Sequence, residues 1–254
     1  MSPAILPLMV VGACSSRPPL HWYVVCDLSV DPAVCTKDFR VRAAAAWSQV
    51  AALAPGSTLE FVFVAGSYSD TSVFALDRSP SQFKRPASAS RARWERATIA
   101  SANEIDVPTV DRNKPQSDVI SALLVARELA SSAGGASGET KLILASDGLF
   151  IGQGFNTERD GFPAVERLLG RLRSDAGIEQ WSLEDFDSIH ICGFANTGLD
   201  LSTASARVAF YDELFAAAGV EPPMVSSSCA DAYPPVPGDL EPAKPSADAL
   251  GGRG

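Results

Sequence analysis

Histidine is nearly absent from this chain of 254 residues, which contains only His21 and His190. None of the five cysteines stands in a C-x-x-C pair, and zinc sites of the cysteine and histidine type use such closely spaced ligands. A Ser-His-Asp hydrolase is also disfavoured, because His190 lies inside an apolar segment that predicts a buried strand. No apolar run reaches the roughly 18 residues that a membrane-spanning helix needs. The composition therefore argues against a thiolate zinc site, a catalytic triad and a spanning helix.

Positive charge is also in short supply. The 21 lysines and arginines face 30 aspartates and glutamates, which leaves a formal net charge of −9. Proteins that bind nucleic acid need a basic surface for the phosphates, and only Lys84 and the arginines up to Arg96 could form one. We therefore predict no nucleic-acid partner. The hydrophobic content of 46% is normal for a globular domain with a substantial core.

The N-terminal segment, residues 1–19, is predicted to be a signal and tether. MSPAILPLMVVGAC is apolar and ends in small residues, and its last four residues resemble the lipobox of bacterial lipoproteins. That resemblance implies that Cys14 is lipidated and that the protein lies in the cell envelope, on the periplasmic or extracellular side. The segment departs from the usual pattern because no lysine or arginine precedes the apolar run. The alternatives are a wrongly assigned start or a simple apolar arm, which would leave the protein cytoplasmic.

Short β-branched and aromatic segments alternate with helical patterns along residues 20–229. Strands are predicted at 22–27, 59–66, 71–76, 141–146 and 188–194, and helices at 36–53, 88–102, 117–132, 162–173 and 202–218. This order predicts an α/β fold, a doubly wound and mostly parallel sheet with helices on both faces. The short turn before 71–76 makes that strand an antiparallel edge strand. From residue 230 onward proline, glycine and alanine dominate, which predicts a disordered tail.

Polar residues follow the predicted strands at the edge where such sheets bind ligands. The motif D-L-S-V-D occupies 27–31, Q-S-D-V-I-S-A-L occupies 116–123, and S-D-G occupies 146–148. Ligands of parallel sheets bind beyond the carboxyl ends of the strands. Asp27 and Asp147 both end strands, so we expect them at the same edge.

Together the three motifs resemble the metal-ion-dependent adhesion site (MIDAS) of von Willebrand factor A (vWA) domains. The family pattern is D-x-S-x-S after the first strand, then T-D-x-x-x-A-L at a helix start, then an aspartate, often as T-D-G. Here serine replaces threonine at Ser117 and Ser146, and aspartate replaces the second serine at Asp31.

The resemblance implies a divalent cation, Mg²⁺ or alternatively Ca²⁺ or Mn²⁺, held by oxygen ligands. Its ligands would be Asp27, Ser29, Asp31, Ser117 and Asp147. Asp31 has a second interpretation, because it could cap a helix that begins near Pro32. If Asp31 contacts the ion, the extra carboxylate favours retention of the cation and weakens the attraction for an acidic ligand.

The function that the resemblance implies is protein binding without catalysis. An acidic residue of a partner protein would complete the metal shell, and the lipid anchor would be the only contact with a membrane. The alternative from another class is a metal-dependent hydrolase or nuclease that uses the same acid cluster. A third possibility is a structural subunit without a metal.

Four cysteines remain if Cys14 is lipidated. In the strand order of the family, the strands that carry Cys26 and Cys192 flank a common neighbour, about 9.5 Å apart. A disulfide needs Cα atoms within about 7 Å. We therefore expect Cys26 and Cys192 to be reduced and buried, and Cys35 and Cys229 to form a disulfide in an exported protein.

Overall fold

Alternating strands and helices form a sheet covered on both faces. The computed structural model describes residues 17–28, 34–52, 54–64, 71–77, 87–108, 117–132, 138–176, 178, 181–194, 201–226, 228–229 and 233. The strands are β1 (Leu20–Asp27), β2 (Thr58–Val64), β3 (Thr71–Asp77), β4 (Glu139–Ala145), β5 (Ile151–Gly152), β6 (Phe155–Asn156), β7 (Ser188–Cys192) and β8 (Met224–Ser226). The helices are α1 (Lys37–Ala51), α2 (Ala87–Asn103), α3 (Val119–Ser132), α4 (Thr157–Asp160), α5 (Val165–Ala176) and α6 (Leu201–Ala217).

The main sheet has six strands in the order β3-β2-β1-β4-β7-β8. Every pairing in it is parallel except that of β2 with β3, which is antiparallel and lies at an edge. The predicted α/β class, the mostly parallel sheet and its antiparallel edge strand are therefore confirmed. The parallel strands place all their carboxyl ends at one edge, which is the edge of Asp27 and Asp147.

Alternate residues of each strand point to opposite faces of the sheet, and each face has its own apolar core. One core joins Tyr23 and Val25 of β1 to α3, α5 and α6. The other joins Trp22 and Val24 to α1 and α2. Continuous apolar runs such as the interior of β1 are the expected sequence of strands buried on both faces.

Local signals set several helix ends. Thr36 caps α1, because its hydroxyl oxygen accepts a 3.1 Å hydrogen bond from the Phe39 N–H. Helix α5 begins at Val165 rather than at the predicted 162, because Pro163 restricts the residue before it to extended conformations. Val208 of α6 is 38% exposed, whereas Tyr211, Leu214 and Phe215 of the same helix are buried.

Two short elements were not predicted. β5 and β6 form a hairpin beside the carboxyl edge, with Gln153 and Gly154 at positive φ in its turn. The strand β8 extends the sheet beyond β7, with Cys192 opposite Ser226. The three-residue length of β8 and its exposed Met224 explain why no strand pattern was visible there.

The cysteines pair differently from the prediction. Cys26 is bonded to Cys35 and Cys192 to Cys229, with Cα–Cα distances of 5.5 and 4.8 Å. The expected Cys35–Cys229 disulfide and the expected reduced state of Cys26 and Cys192 are therefore wrong.

The error came from chain paths, not from the sheet spacing. Cys26 and Cys192 do flank Ala145 in register, so they are two strands apart and do not bond to each other. However, β8 returns the chain alongside β7, which brings Cys229 to Cys192. Cys35 lies just before the α1 cap, close to the end of β1.

Tyr233 is the one residue of the predicted disordered tail, 230–254, that the structure describes. Its ring is buried, stacks on Trp22 with centroids 6.1 Å apart and lies 5.9 Å from the Phe39 ring. The other residues from 234 onward lie outside the described residues. Among the helices that the structure describes, none is long and apolar enough to cross a membrane.

Candidate metal site

Two strand ends and one helix start bring the predicted ligands together. Asp27 ends β1, and Ser146 and Asp147 directly follow β4, the parallel neighbour of β1. Ser117 lies just before α3, and its backbone pairs with Ile151 of β5. Cys14, Ser29 and Asp31 lie outside the described residues, so their predicted roles stay predictions.

The Asp27 carboxylate is held by two serine hydroxyls. Ser117 Oγ donates to Asp27 Oδ2 at 2.8 Å, and Ser146 Oγ donates to the same oxygen at 2.9 Å. Ser146 Oγ also accepts the Gly148 N–H at 2.9 Å. Asp27 is only 2% exposed, so these donors replace the water that the carboxylate loses on burial.

Asp147 has one satisfied and one unsatisfied carboxylate oxygen. Its Oδ1 accepts the Leu149 N–H at 2.9 Å, whereas its buried Oδ2 has no hydrogen-bond partner among the described residues. Burial raises the pKa of Asp147 to about 7, and the negative charges of Asp27 and Glu158 add to this rise, whereas the Leu149 N–H and the positive charge of Arg207 oppose it. An unpartnered buried carboxylate oxygen beside a second carboxylate is unstable unless a proton or a cation joins it.

Two polar side chains of helix α6 donate hydrogen bonds to the S-D-G loop. Arg207 donates through Nη1 to the Asp147 carbonyl oxygen at 2.6 Å and through Nη2 to the Phe194 carbonyl oxygen. Its guanidinium also lies 4.7 Å from the centroid of the Phe194 ring. Tyr211 donates its hydroxyl to the Gly148 carbonyl oxygen at 3.1 Å.

Asp118, the second residue of the serine loop, has a structural role. Its Oδ1 accepts the Ser121 N–H at 3.0 Å, which caps α3. Its Oδ2 accepts from Ser121 Oγ at 2.7 Å and from Gln153 Nε2 at 3.0 Å. The Asp118 carboxylate therefore joins α3 to the hairpin of β5 and β6.

The donor set fits a hard divalent cation. Mg²⁺, Ca²⁺ and Mn²⁺ prefer carboxylate and hydroxyl oxygens and accept water in the remaining positions. Asp27, Ser117 and Asp147 supply such oxygens, and Asp147 Oδ2 is buried without a hydrogen-bond partner among the described residues. In the part of the chain that the structure describes, the site has only two carboxylates, Asp27 and Asp147. Accordingly, within the described ranges no group of three or more His, Cys, Asp and Glu side chains is placed to hold a metal.

Sequence reasoning missed three contributors to the site. The sequence placed Ser146 in the S-D-G motif but not among the ligands, and it assigned neither Tyr211 nor Arg207 to the site. For Ser146 the motif itself was a usable signal, since a hydroxyl at a strand end lies near the neighbouring strand end. Arg207 offered no comparable signal, because helical periodicity does not reveal which loop a buried arginine reaches.

The sequence matches no protein-family model, and no curated protein matches it.

Proposed function

We propose that this chain is a vWA-like protein-binding module, exported as a lipoprotein, that engages a partner protein through a divalent cation at the carboxyl edge of its sheet. The proposal needs no catalytic step. The observation that carries it is the buried Oδ2 of Asp147, which lacks a hydrogen-bond partner among the described residues and lies in the field of the Asp27 carboxylate.

Electrostatics support a cation at this position. Two carboxylates on adjacent strand ends repel each other at low dielectric, and burial adds a desolvation cost for each. A divalent cation removes both penalties at once. When bound, the ion would supply a positive charge with open coordination positions, and Asp27, Ser117 and Asp147 would hold it.

The partner class follows from the resemblance and from the charges. In vWA domains an acidic residue of the partner completes the metal shell. In this chain Asp31 adds a carboxylate to the motif, so we propose that acidic ligands are captured more weakly than by a site with two serines. Binding of the partner should be lost in EDTA and in Asp147→Asn.

The two disulfides support export. Disulfides persist in oxidising compartments such as the bacterial periplasm and are rare in the cytosol. All four bonded cysteines are buried, from 0 to 4% exposed. The lipid anchor at Cys14 rests on the lipobox resemblance alone.

Thermal melts with Mg²⁺, with Mn²⁺ and with EDTA test the metal. An ion at a hundred times its Kd stabilises the native state by about 2.7 kcal/mol, which shifts Tm by about 5–10 °C for a chain of this size. Asp147→Asn should abolish the shift. The matched control is Asp187→Asn, which lies just before β7 at the opposite edge and should keep it. Equal melting temperatures of the wild type in all three conditions would contradict the metal site.

A further inference from the structure

We propose that Arg207 is a positioning residue of this site. Together with Tyr211, it fixes the loop of Ser146, Asp147 and Gly148, which carries the Asp147 carboxylate of the site. The inference rests on the proposed function for its consequence, metal affinity, but its structural claim can be tested separately.

Arg207 joins two loops that follow neighbouring strands. Its guanidinium donates to the carbonyl oxygen of Asp147, after β4, and to that of Phe194, after β7. The residue is only 3% exposed. Burial of a charged side chain carries a desolvation penalty, and the hydrogen bonds of Arg207 to the two backbone carbonyls offset part of it.

Tyr211 extends this contact by one residue of the loop. It follows Arg207 by four positions on α6, so both side chains lie on the same face of the helix. Its hydroxyl donates to the Gly148 carbonyl oxygen, and the residue is 1% exposed. Two consecutive carbonyls of the loop are thus bound by one helix.

The loop depends on these donors because its own backbone is irregular. Gly148 has a φ of 80°, a conformation that other residues rarely adopt. A Cβ atom at Gly148 would lie 2.6 Å from Phe194 Cε1 and 2.9 Å from Arg207 Cδ. The loop therefore packs closely against α6, and its Asp147 and Gly148 carbonyl oxygens accept from Arg207 and Tyr211 of that helix. Without these donors the two carbonyls would lose their hydrogen-bond partners on α6.

Arginine suits this position better than lysine. The planar guanidinium presents several donors in fixed directions, whereas the lysine ammonium is a single point charge. One guanidinium reaches both the Asp147 and the Phe194 carbonyl oxygens and lies over the Phe194 ring. Lysine could supply the charge but not both bonds in the same geometry.

The experiment compares Arg207→Met, Arg207→Lys and Tyr211→Phe with Leu214→Ala, all as full chains. Leu214 is a fully buried residue of the same helix with an apolar side chain, so it cannot donate to the loop carbonyls as Arg207 and Tyr211 do. Two quantities are measured at a temperature well below the lowest Tm of the variants. The first is the affinity for Mn²⁺, by calorimetry. The second is the hydrogen exchange of the Gly148 and Leu149 amides, which donate to Ser146 Oγ and Asp147 Oδ1.

We expect Arg207→Met to lower the Mn²⁺ affinity by about tenfold or more and to speed exchange of the two amides by about tenfold relative to core amides. Arg207→Lys should lie between Arg207→Met and the wild type, and Tyr211→Phe should show a smaller loss of the same kind. Leu214→Ala should have the lowest Tm of the four variants, yet its affinity for Mn²⁺ should lie within about twofold of that of the wild type.

Wild-type affinity and wild-type amide exchange in Arg207→Met would overturn the inference. If Arg207→Met does not fold, Arg207→Lys and Tyr211→Phe decide by the same two quantities. If the wild type binds no Mn²⁺, the proposed function fails by itself, and the exchange of Gly148 and Leu149 still decides whether Arg207 positions the loop.

Discussion

Ser117 Oγ donates a 2.8 Å hydrogen bond to Oδ2 of Asp27 and so joins the start of α3 to the end of β1, 90 positions apart in the sequence. The same oxygen accepts Ser146 Oγ from the end of β4. The Asp27 carboxylate therefore connects all three motif segments before any ion is considered. Its neighbour Asp147 has one buried carboxylate oxygen, Oδ2, without a hydrogen-bond partner among the described residues.

The raised pKa of Asp147 predicts that stability without metal falls as pH rises. The folded pKa of about 7 lies above the ordinary value of 3.8, so the folded state binds the proton more tightly than the unfolded state. The contribution is fully present below about pH 4 and is lost as pH rises to about 7; its upper bound is on the order of 4 kcal/mol.

Denaturant unfolding in EDTA from pH 5 to pH 8 measures this effect. Asp147→Asn should flatten the decline and be more stable than the wild type at pH 8. A wild type that is as stable in EDTA at pH 8 as at pH 5 would show that burial does not raise the pKa of Asp147.

Gly148→Ala should destabilise the protein more than a glycine substitution in an open turn. The new Cβ would meet Phe194 and Arg207 within 3 Å in addition to the cost of positive φ, so we expect a loss of about 2–4 kcal/mol. The control is Gly154→Ala in the hairpin, where φ is 77° but the nearest atom to the new Cβ, Nη2 of Arg171, is 3.8 Å away. It should lose about 1 kcal/mol, and equal losses in urea unfolding would mean that the close contact at Gly148 is relieved.

Removal of the disulfide that closes the longer loop should cost more stability, because the loop-closure entropy grows with the logarithm of loop length. The Cys192–Cys229 bond spans 37 residues and the Cys26–Cys35 bond spans 9. The chain-entropy relation gives upper values of about 4 and about 2.5 kcal/mol, respectively. Double alanine variants measured by urea unfolding test this order, and non-reducing peptide mapping tests the pairing itself. A Cys35–Cys229 peptide would contradict the structure.

Tyr233 should stabilise the fold through its ring and not through its hydroxyl. The ring packs on Trp22 and Phe39, whereas the buried hydroxyl has no partner among the described residues. Tyr233→Phe should therefore match or exceed the wild type by up to about 1 kcal/mol, and Tyr233→Ala should lose about 3 kcal/mol or more. A large loss in Tyr233→Phe would reveal a hydrogen bond that this arrangement lacks.

Membrane attachment should depend on Cys14. Lipid anchors of bacterial lipoproteins carry more than one acyl chain, because a single chain binds a membrane only marginally. Cys14→Ser should move the protein from the membrane fraction to the soluble fraction after cell disruption. A native protein found in the cytosol with Met1 intact would contradict both the anchor and the proposed export.

The sequence by itself determined the class of fold and the edge at which the acids meet. Apolar runs ending in Asp27 and before Asp147 are local signals, and parallel pairing carries every strand end to the same edge. Helix faces were also largely predictable. The apolar spacing of Val165, Leu168, Leu169 and Leu172 predicts that they face inward, and all are buried except Leu169, which is partly buried against the same core.

Only the tertiary structure decided the partners across long separations. The pairing of Cys192 with Cys229 depends on the path of β8, and the contact of Arg207 with Asp147 depends on how α6 lies over the sheet. Periodicity records which face of an element is buried, because burial acts on each residue locally. It does not record which element covers that face, because that choice depends on packing energy summed over the whole chain.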